Sequence, residues 1–222
     1  MLAEYYRKRA TEYDAFYADP ERQADLAVLR DWLVAASRGR RILEVAAGTG
    51  YWTAVAAPVA TAITATDINT EMLAIAAGRQ LGAHVTLLQA DSWDLPHLPH
   101  PFDLGMAHLW WSHLRKQQRA AFLAQFAARL QPGATLLMID ENLVANVGAP
   151  ISRTDAAGDT WQRRWLTTGE RFEIIKNYPD RSELEHSVAE LCNQIRVLEL
   201  KHFWALSAQF LPLEHNAPDT VG

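Results

Sequence analysis

The sequence predicts an α/β protein built on a Rossmann-like, doubly wound and mostly parallel sheet of seven strands. Short apolar runs alternate with segments of helical periodicity between residues 41 and 139, which is typical of βαβ units. The first run, Ile42–Val45, ends in small residues at 46–50 before a helical segment begins. Acidic residues, Asp67 and Asp91, close the second and third runs. These observations predict a sheet with polar groups at the carboxyl ends of its strands.

Two helices are predicted ahead of the sheet, at residues 1–18 and 24–36. Asp19 and Pro20 separate them, since proline suits the first turn of a helix, and Gly39 ends the second. Five strands follow, predicted at Ile42–Val45, Ala62–Thr66, His84–Leu88, Phe102–Ala107 and Ala134–Ile139. The helices between them are predicted at Trp52–Ala57, Thr70–Leu81 and Arg115–Leu130.

Glycines and prolines interrupt this alternation after strand five. Residues 161–166 and 171–176 flank a short polar turn, which predicts an inserted β-hairpin. A helix and two strands complete the predicted sheet, at residues 180–192, Arg196–Leu200 and His202–Ser207. We expect one domain over 1–222 with three distinct regions: helices at 1–38, an insertion at 141–180 and a loose polar tail at 211–222.

Composition indicates which partners are excluded and which cellular compartment is favoured. The formal net charge is -5 and no long basic run exists, so we expect no nucleic-acid partner. The single cysteine, Cys192, cannot form an intrachain disulfide, which fits a reducing compartment. No apolar run approaches the ~20 residues that a membrane helix needs, and no signal-peptide core is present. We therefore expect a cytoplasmic protein without a membrane partner; no metal-ligand spacing is found.

Ligands of an open α/β sheet bind at the carboxyl ends of the strands, where the strand order reverses. The small residues at 46–50 allow a ligand to approach the backbone, and the first amides of the following helix are unpaired. Asp67 offers a carboxylate to a ribose diol. Asp91 can accept from an adenine amine, and Trp93 beside it can stack on the base. Together they predict an adenosine compound as ligand.

Ile42–Gly50 resembles the first motif of the class I S-adenosylmethionine-dependent methyltransferases, with Ala46 in place of the first glycine of the usual turn. Further landmarks of that family occur in the same order: Asp67 with Met72-Leu73, Gln89–Ser92, Phe102–Leu104 and Leu130–Ala134. Residues 5–14 are similar to the lid helix of small-molecule members. The resemblance covers nearly the whole chain, most firmly residues 1–140. It implies an N-terminal helical lid, S-adenosyl-L-methionine as methyl donor with S-adenosyl-L-homocysteine as product, and a small-molecule acceptor.

The resemblance also implies roles for individual residues. The turn would hold the methionine part of the cofactor, Asp67 the ribose, and Asp91 the adenine amine. Tyr5 and Tyr13 would close over the cofactor, and Arg9 would reach its carboxylate. The full implied cofactor set is Tyr5, Arg9, Tyr13, Glu44, Ala46, Gly48, Gly50, Asp67, Ile68, Asp91, Ser92, Trp93 and Ala107.

For an oxygen or nitrogen acceptor the protein must also remove a proton. His113 is the first candidate base because it follows strand four and an imidazole titrates near neutral pH. His108 is the second, and Asp140 and Glu141 are alternatives or substrate anchors. The tryptophans near the predicted pocket indicate an aromatic or heterocyclic acceptor: Trp110, Trp111 and Trp165, of which at most one of the adjacent pair faces the pocket.

Other interpretations of the same residues stay open. The glycines can form only a tight turn, Asp67 can cap a helix, and His113 can simply pack or cap. A nicotinamide-dependent oxidoreductase is disfavoured because the dinucleotide fingerprint fails at Thr53, where its third glycine belongs. A non-catalytic protein that binds S-adenosylmethionine is the remaining alternative. The sequence predicts neither the acceptor nor the oligomeric state.

Overall fold

The computed structural model describes residues 1–98 and 101–212, and the predicted tail falls mostly outside these residues. Ten strands are found in this part of the chain: β1 Arg41–Val45, β2 Ala62–Asp67, β3 Val85–Gln89, β4 Leu104–His108, β5 Thr135–Glu141, β6 Ile151–Thr154, β7 Thr160–Trp165, β8 Arg171–Ile175, β9 Cys192–Glu199 and β10 Phe203–Phe210. Seven of them form one sheet in the order β3-β2-β1-β4-β5-β10-β9. The predicted α/β architecture is confirmed.

Strands β1 to β5 are parallel to one another, whereas β10 runs antiparallel to both β5 and β9. The chain builds outward from β1 to β3 on one side and from β4 on the other. The strand order therefore reverses between β1 and β4, and a crevice is expected at their carboxyl ends.

Helices cover both faces of this sheet. The α-helices of the described residues are α1 Leu2–Arg9, α2 Ala15–Ala18, α3 Gln23–Ser37, α4 Tyr51–Ala56, α5 Thr70–Ala77, α6 Arg119–Ala127 and α7 Arg181–Val188. The predicted helix over 1–18 is broken by a 3₁₀ turn at Ala10–Glu12. The predicted helix over 70–81 ends earlier, because Gly78, a residue of low helix propensity, follows α5.

The strands alternate their side chains between two apolar layers. Ile42 packs with α3 and α4, whereas its neighbour Leu43 packs with α6 and α7. This alternation follows from the period of two in a strand. Because both faces of the sheet are covered, β1 is buried at the four consecutive positions 42–45, of which only Glu44 is polar.

The insertion after β5 is a three-stranded sheet in the order β6-β7-β8. The predicted hairpin corresponds to β7 and β8, and the additional strand β6 was not predicted. Helix α1 lies against this sheet: Tyr5 packs on Phe172 with ring centroids 5.6 Å apart, and Lys8 pairs with Glu170. Within the described ranges, no helix has both the length and the apolar character that crossing a membrane requires.

Candidate active site

A first cavity lies at the carboxyl ends of β1, β2 and β4, under helix α1. Its wall combines the glycine-rich turn, the ends of β2 and β3, the segment after β4 and the start of α1. The lining residues are Leu2, Ala3, Tyr6, Tyr13, Ala46, Gly48, Asp67, Ile68, Asn69, Met72, Ala90, Asp91, Ser92, Trp93, His108, Leu109, Trp110 and His113. This position is the crevice that the strand order predicts.

The turn after β1 depends on left-handed backbone conformations. Ala46, Gly48 and Gly50 have φ angles of 52°, 58° and 74°. At Gly50 a Cβ would also lie 2.8 Å from the Cβ of Ala76, so a side chain is excluded there. At Gly48 an added Cβ would meet no atom within 4 Å, so the backbone is open toward the cavity. Ala46 adopts a conformation that glycine takes at lower energy.

Asp67 holds the turn in place from the end of β2. Its Oδ2 accepts a hydrogen bond from the Gly48 N–H at 2.8 Å, and its Oδ1 accepts from the Asn69 N–H at 2.8 Å. Burial raises the pKa of this carboxyl, while these N–H groups oppose that shift. Each carboxylate oxygen can accept a further hydrogen bond, so Asp67 can bind a ligand without releasing the turn.

Glu44 lies behind the turn and does not line the cavity. Its carboxyl is 1% exposed and accepts a hydrogen bond from the Thr53 hydroxyl at 2.6 Å. Burial raises its pKa to about 8. Glu44 therefore connects β1 to helix α4, and it does not contact the cavity, contrary to what the implied cofactor set expects.

The opposite end of the cavity is built by the segment after β3. Asp91 accepts a hydrogen bond from the Trp93 N–H at 3.0 Å, which fixes a short turn. Trp93 packs edge-on against Phe122, with ring centroids 5.8 Å apart. Ile68 follows β2, is 43% exposed and also lines the cavity, so the wall combines an apolar surface with this carboxylate. Such a site suits a flat ring with a polar edge.

His113 and Tyr6 form a pair at the inner end of the first cavity. The Nδ1 of His113 lies 2.7 Å from the Ile175 carbonyl, which can only accept, so Nδ1 carries the proton. The neutral ring therefore accepts from the Tyr6 hydroxyl at Nε2, over 2.6 Å. Burial, with a contribution from Lys176, lowers the pKa of His113 to about 4. His113 is thus a neutral residue that orients Tyr6.

His108, at the end of β4, differs from His113 in having no partner. It is 4% exposed, and within the described residues neither ring nitrogen has a hydrogen-bond partner. Burial lowers its pKa to about 3, so the imidazole is neutral near pH 7. Trp52 packs edge-on against the ring, with centroids 5.7 Å apart.

A second cavity adjoins the first and shares four wall residues with it: Tyr6, Tyr13, Leu109 and His113. It has a volume of about 370 Å³ and extends toward the insertion. The remaining lining residues are Arg9, Ala15, Phe16, Asp19, Arg22, Glu141, Asn142, Val144, Val147, Gly148, Arg164, Lys176, Tyr178 and His202. Four of these are arginine or lysine and two are acidic, so the cavity carries an excess of positive charge.

A buried network holds two of these cations. Lys176 is 3% exposed and lies 3.0 Å from Asp140 and 2.9 Å from Glu141. It also donates to the Ser112 hydroxyl at 2.8 Å. Arg22 donates to Glu141 from the other side at 2.8 Å. Burial alone would raise the pKa of Glu141, but Lys176 and Arg22 lower it to about 2. These charges neutralise one another.

Arg9 and Arg164 contribute the uncompensated charge. Neither forms an ion pair within residues 1–98 and 101–212. The Arg9 guanidinium lies over the rings of Tyr5 and Tyr13, at 5.8 and 5.4 Å from their centroids. Arg164 donates to Gln162 at 2.5 Å, and its buried Nε lacks a hydrogen-bond partner among the described residues. Two half-buried guanidinium groups with free donors are able to bind an anion.

The first cavity brings together eleven of the residues predicted for the site: Tyr13, Ala46, Gly48, Asp67, Ile68, Asp91, Ser92, Trp93, His108, Trp110 and His113. Two more line the second cavity: Arg9 and Glu141. Seven line neither: Tyr5, Glu44, Gly50, Ala107, Trp111, Asp140 and Trp165.

The residues outside the cavities have physical reasons for their positions. Ala107 points to the α6 side of the sheet because it alternates with His108 along β4. Trp111 is fully buried and packs under the guanidinium of Arg119, 5.0 Å from the ring. Trp165 is 61% exposed at the end of β7. The structure thus places neither of these tryptophans in a pocket wall.

Several lining residues were not predicted, chiefly Tyr6, Arg22, Arg164 and Lys176. The implied lid contacts were Tyr5, Arg9 and Tyr13, which are four positions apart on one helix face, and this spacing does not include Tyr6. Lys176 follows the apolar residues Ile174 and Ile175 directly, and a charged residue in such a run was the one available signal for a buried ion pair.

Residues 42–133 match the family model described as a methyltransferase domain. None of the curated protein sequences matches the chain. Among solved structures, the chain is similar to the DhpI–SAH complex, with 28% identity, a TM-score of 0.78, and coverage of 95% of this chain and 96% of that one. The DhpI–SAM–HEP complex gives 27% identity, a TM-score of 0.76, and coverage of 92% and 94%.

The PH0226 protein from Pyrococcus horikoshii OT3 shares the fold at 15% identity, with a TM-score of 0.70 and coverage of 93% and 98%. The sheet order, the turn after β1 and the carboxylates after β2 and β3 agree with these findings. The match of residues 42–133 to a methyltransferase domain and the shared fold together support a class I S-adenosylmethionine-dependent methyltransferase.

Proposed function

We propose that the protein transfers the methyl group of S-adenosylmethionine to a small anionic molecule. The cofactor occupies the first cavity and the acceptor occupies the second. The two cavities share the wall residues Tyr6, Tyr13, Leu109 and His113, and the transferred methyl group would lie at this junction. The uncompensated charge of Arg9 and Arg164 in the second cavity is the observation that carries the proposal.

The residues of the first cavity fit the cofactor. Asp67 would hold the ribose hydroxyls, and Asp91, Ile68 and Trp93 would surround the adenine. Among the described residues, the lining contains these two carboxylates and no lysine or arginine, which suits a cationic sulfonium. When bound, S-adenosylmethionine supplies an electrophilic methyl group. Helix α1 covers the cavity through Leu2, Ala3 and Tyr6, so the lid excludes water.

The second cavity fits an oxyanion with an apolar body. Its charged end is supplied by Arg9 and Arg164, which can donate to carboxylate or phosphate oxygens. Its apolar surface comes from Phe16, Leu109 and Val147, among others. Lys176 is already neutralised by two carboxylates and would position Glu141 rather than bind the anion.

An oxyanion acceptor carries its own lone pairs and needs no general base. This agrees with the two histidines, because burial lowers the pKa of His113 to about 4 and that of His108 to about 3. A base role for either imidazole is therefore disfavoured near pH 7. His113 instead fixes the hydroxyl of Tyr6 at the junction, which orients the reacting groups.

An aromatic acceptor, as predicted from the sequence, fits this proposal only if it also carries an acidic group. Trp111 and Trp165 lie outside both cavities, but the second cavity contains Tyr13 and Tyr178. The structure of DhpI with SAM and HEP shows, by its name, a similar protein holding two ligands together. This observation supports two adjoining ligand sites and favours a methyltransferase over a protein that only binds the cofactor.

The test measures formation of S-adenosylhomocysteine with a panel of paired acceptors. Aliphatic and aromatic carboxylates, phosphate monoesters and phosphonates are compared with their neutral amides and alcohols. Arg9→Gln and Arg164→Gln should each raise the acceptor KM by roughly tenfold or more, since a hydrogen bond to a charged group is lost. Arg163→Gln is the matched control, because Arg163 neighbours Arg164 on β7 but is exposed and lines neither cavity.

Two results would oppose the proposal. Neutral acceptors methylated as well as their anionic counterparts would remove the charge argument, as would arginine variants with unchanged KM. A protein that binds S-adenosylmethionine but forms no S-adenosylhomocysteine with any acceptor would support the non-catalytic alternative.

A further inference from the structure

Gln162 is a buried polar residue of the insertion that lies behind the wall of the second cavity. It is 1% exposed and lines neither cavity. Its side-chain amide nevertheless forms hydrogen bonds to three separate pieces of the chain: Arg164 in β7, Tyr178 after β8, and Ala149, which follows the wall residue Gly148. Gln162 is thus placed to fix the positions of these three segments relative to one another.

The partners of Gln162 determine which way its amide points. The Arg164 guanidinium can only donate, so the Gln162 oxygen faces it, 2.5 Å from Nη2. The Ala149 carbonyl can only accept, so the Gln162 nitrogen faces that side. The same nitrogen donates to the Tyr178 oxygen over 2.8 Å. Exchanging the oxygen and nitrogen of the amide would break the hydrogen bonds to both Arg164 and Ala149.

This arrangement gives a direction to two donors of the cavity wall. Because the Tyr178 oxygen accepts from Gln162, its own O–H is free to donate elsewhere, and Tyr178 lines the second cavity. A guanidinium has five N–H groups, so the hydrogen bond to Gln162 restricts the plane of Arg164 and still leaves donors for a ligand. Ordering these side chains before binding lowers the entropic cost of binding an acceptor.

We infer that Gln162 positions the anion-binding groups of the second cavity: its amide directs the Arg164 guanidinium and the Tyr178 hydroxyl toward one bound anion. This inference rests on the proposed function, in which the second cavity holds the acceptor. Arg9 reaches the same cavity from α1 and would complete the site. The role of Gln162 is indirect, since it acts through two neighbours and does not touch the ligand.

Inorganic phosphate is the probe, titrated calorimetrically into the protein saturated with S-adenosylhomocysteine. Gln162→Met keeps most of the side-chain volume and removes both hydrogen-bonding ends, so it should weaken phosphate binding roughly threefold to tenfold. Gln162→Glu should weaken it more, roughly tenfold to a hundredfold, because the new carboxylate pairs with Arg164 and neutralises its charge. A merely structural role predicts the opposite order, since glutamate keeps the shape of glutamine and a hydrogen bond to Arg164.

Three controls separate positioning from a loss of structure. S-adenosylhomocysteine affinity should change less than about twofold, because among the described residues none from the insertion lines the first cavity. Ser152→Ala removes hydrogen bonds to Trp161 and Glu173 within the same three-stranded sheet, lines neither cavity, and should leave phosphate affinity unchanged. Gln162→Met should also cost less in an Arg164→Gln background, where one of the two groups that it orients is already absent.

The outcomes distinguish this inference from the proposed function. If phosphate affinity falls in Arg164→Gln but not in the two Gln162 variants, the inference is overturned and the anion site stands. Equal losses in Gln162→Met, Gln162→Glu and Ser152→Ala would likewise overturn it, because they would show a structural role. If the unmodified protein binds S-adenosylhomocysteine but no phosphate, the anion site itself fails, and the inference with it.

Discussion

Lys176→Met tests whether the buried charges between the main sheet and the insertion depend on one another. Lys176 lies at the end of β8 and bridges Asp140 and Glu141, which end β5. Methionine keeps most of the apolar volume and removes the charge. The substitution therefore leaves two carboxylates facing a site that was built around a cation, with only Arg22 remaining for Glu141.

The size of the effect follows from the carboxylate pKa. The pKa of Glu141 falls from 4.5 to about 2, although burial acts in the opposite direction. At about 1.4 kcal/mol for each pKa unit, this corresponds to about 3 kcal/mol of stability near pH 7. Asp140 is fully buried and also loses its partner. We therefore expect a loss of about 3 to 5 kcal/mol in the free energy of unfolding.

The sign of the pH dependence is fixed by the same shift. Because the pKa of Glu141 is depressed in the folded protein, its contribution is present above pH 4.5 and is lost as the pH falls toward 2. Urea unfolding at pH 7 and at pH 4 measures this, since urea does not screen charges as guanidinium does. The slope of stability between these values should become shallower in Lys176→Met. Lys8→Met, which removes an exposed ion pair with Glu170, is the control and should change stability far less.

A second variant separates the stranded charge from lost packing. Combining Lys176→Met with Glu141→Gln neutralises one of the two carboxylates. The double variant should therefore lose less free energy of unfolding than Lys176→Met alone. A double variant no more stable than Lys176→Met would refute the reasoning, as would a single-variant loss below about 1 kcal/mol.

Three further changes test the turn after β1. Ala46→Gly should stabilise the protein by up to about 1 kcal/mol because its φ is 52°, whereas Ala47→Gly, outside the left-handed region, should destabilise it by about 0.5–1 kcal/mol; thermal unfolding compares the two. Gly50→Ala should cost at least about 2 kcal/mol in urea unfolding, because its Cβ would collide with α5, and Gly169→Ala, with the same backbone sign but open space, should cost less. The folded Glu44 carboxyl has a pKa of about 8 and the unfolded one ionises at lower pH, so the protein should lose stability as the pH rises from 5 to 8. Glu44→Gln should reduce this loss. Urea unfolding at pH 5, 6.5 and 8 measures it, and an equal dependence of stability on pH in both proteins would count against this.

The fold was predictable because its signals are local. A buried strand followed by small residues and a helix is encoded within about a dozen positions, and the structure places Ile42–Val45 and Tyr51–Ala56 accordingly. Asp67 was predictable for the same reason, because it ends an apolar run. Strand β6 was missed because Ile151–Thr154 is an edge strand with little burial and no apolar alternation.

The acceptor side was much less predictable, because its residues come from distant segments. Arg9 lies in α1, Arg22 precedes α3, Arg164 lies in β7 and Lys176 follows β8. Lys176 directly follows two isoleucines, which is a local sign of burial, but the three arginines carry no pattern that distinguishes a pocket cation from a solvated one. The position of Trp111 was unpredictable for a related reason. It is an aromatic residue close in sequence to the site, but its ring is buried against Arg119 instead of lining a pocket.

The distribution of charge also explains how one lid can serve two ligands. The first cavity presents carboxylates and neutral groups, which suit the proposed cationic cofactor, and the second presents guanidinium groups, which suit the proposed anionic acceptor. Helix α1 contributes Tyr6 to both walls and ends at Arg9, so the lid reaches the acceptor charge directly. An anionic acceptor bound by Arg9 and Arg164 would join the lid to the insertion. In that arrangement the acceptor itself favours the water-excluded site, because its binding energy is available only when α1 covers both cavities.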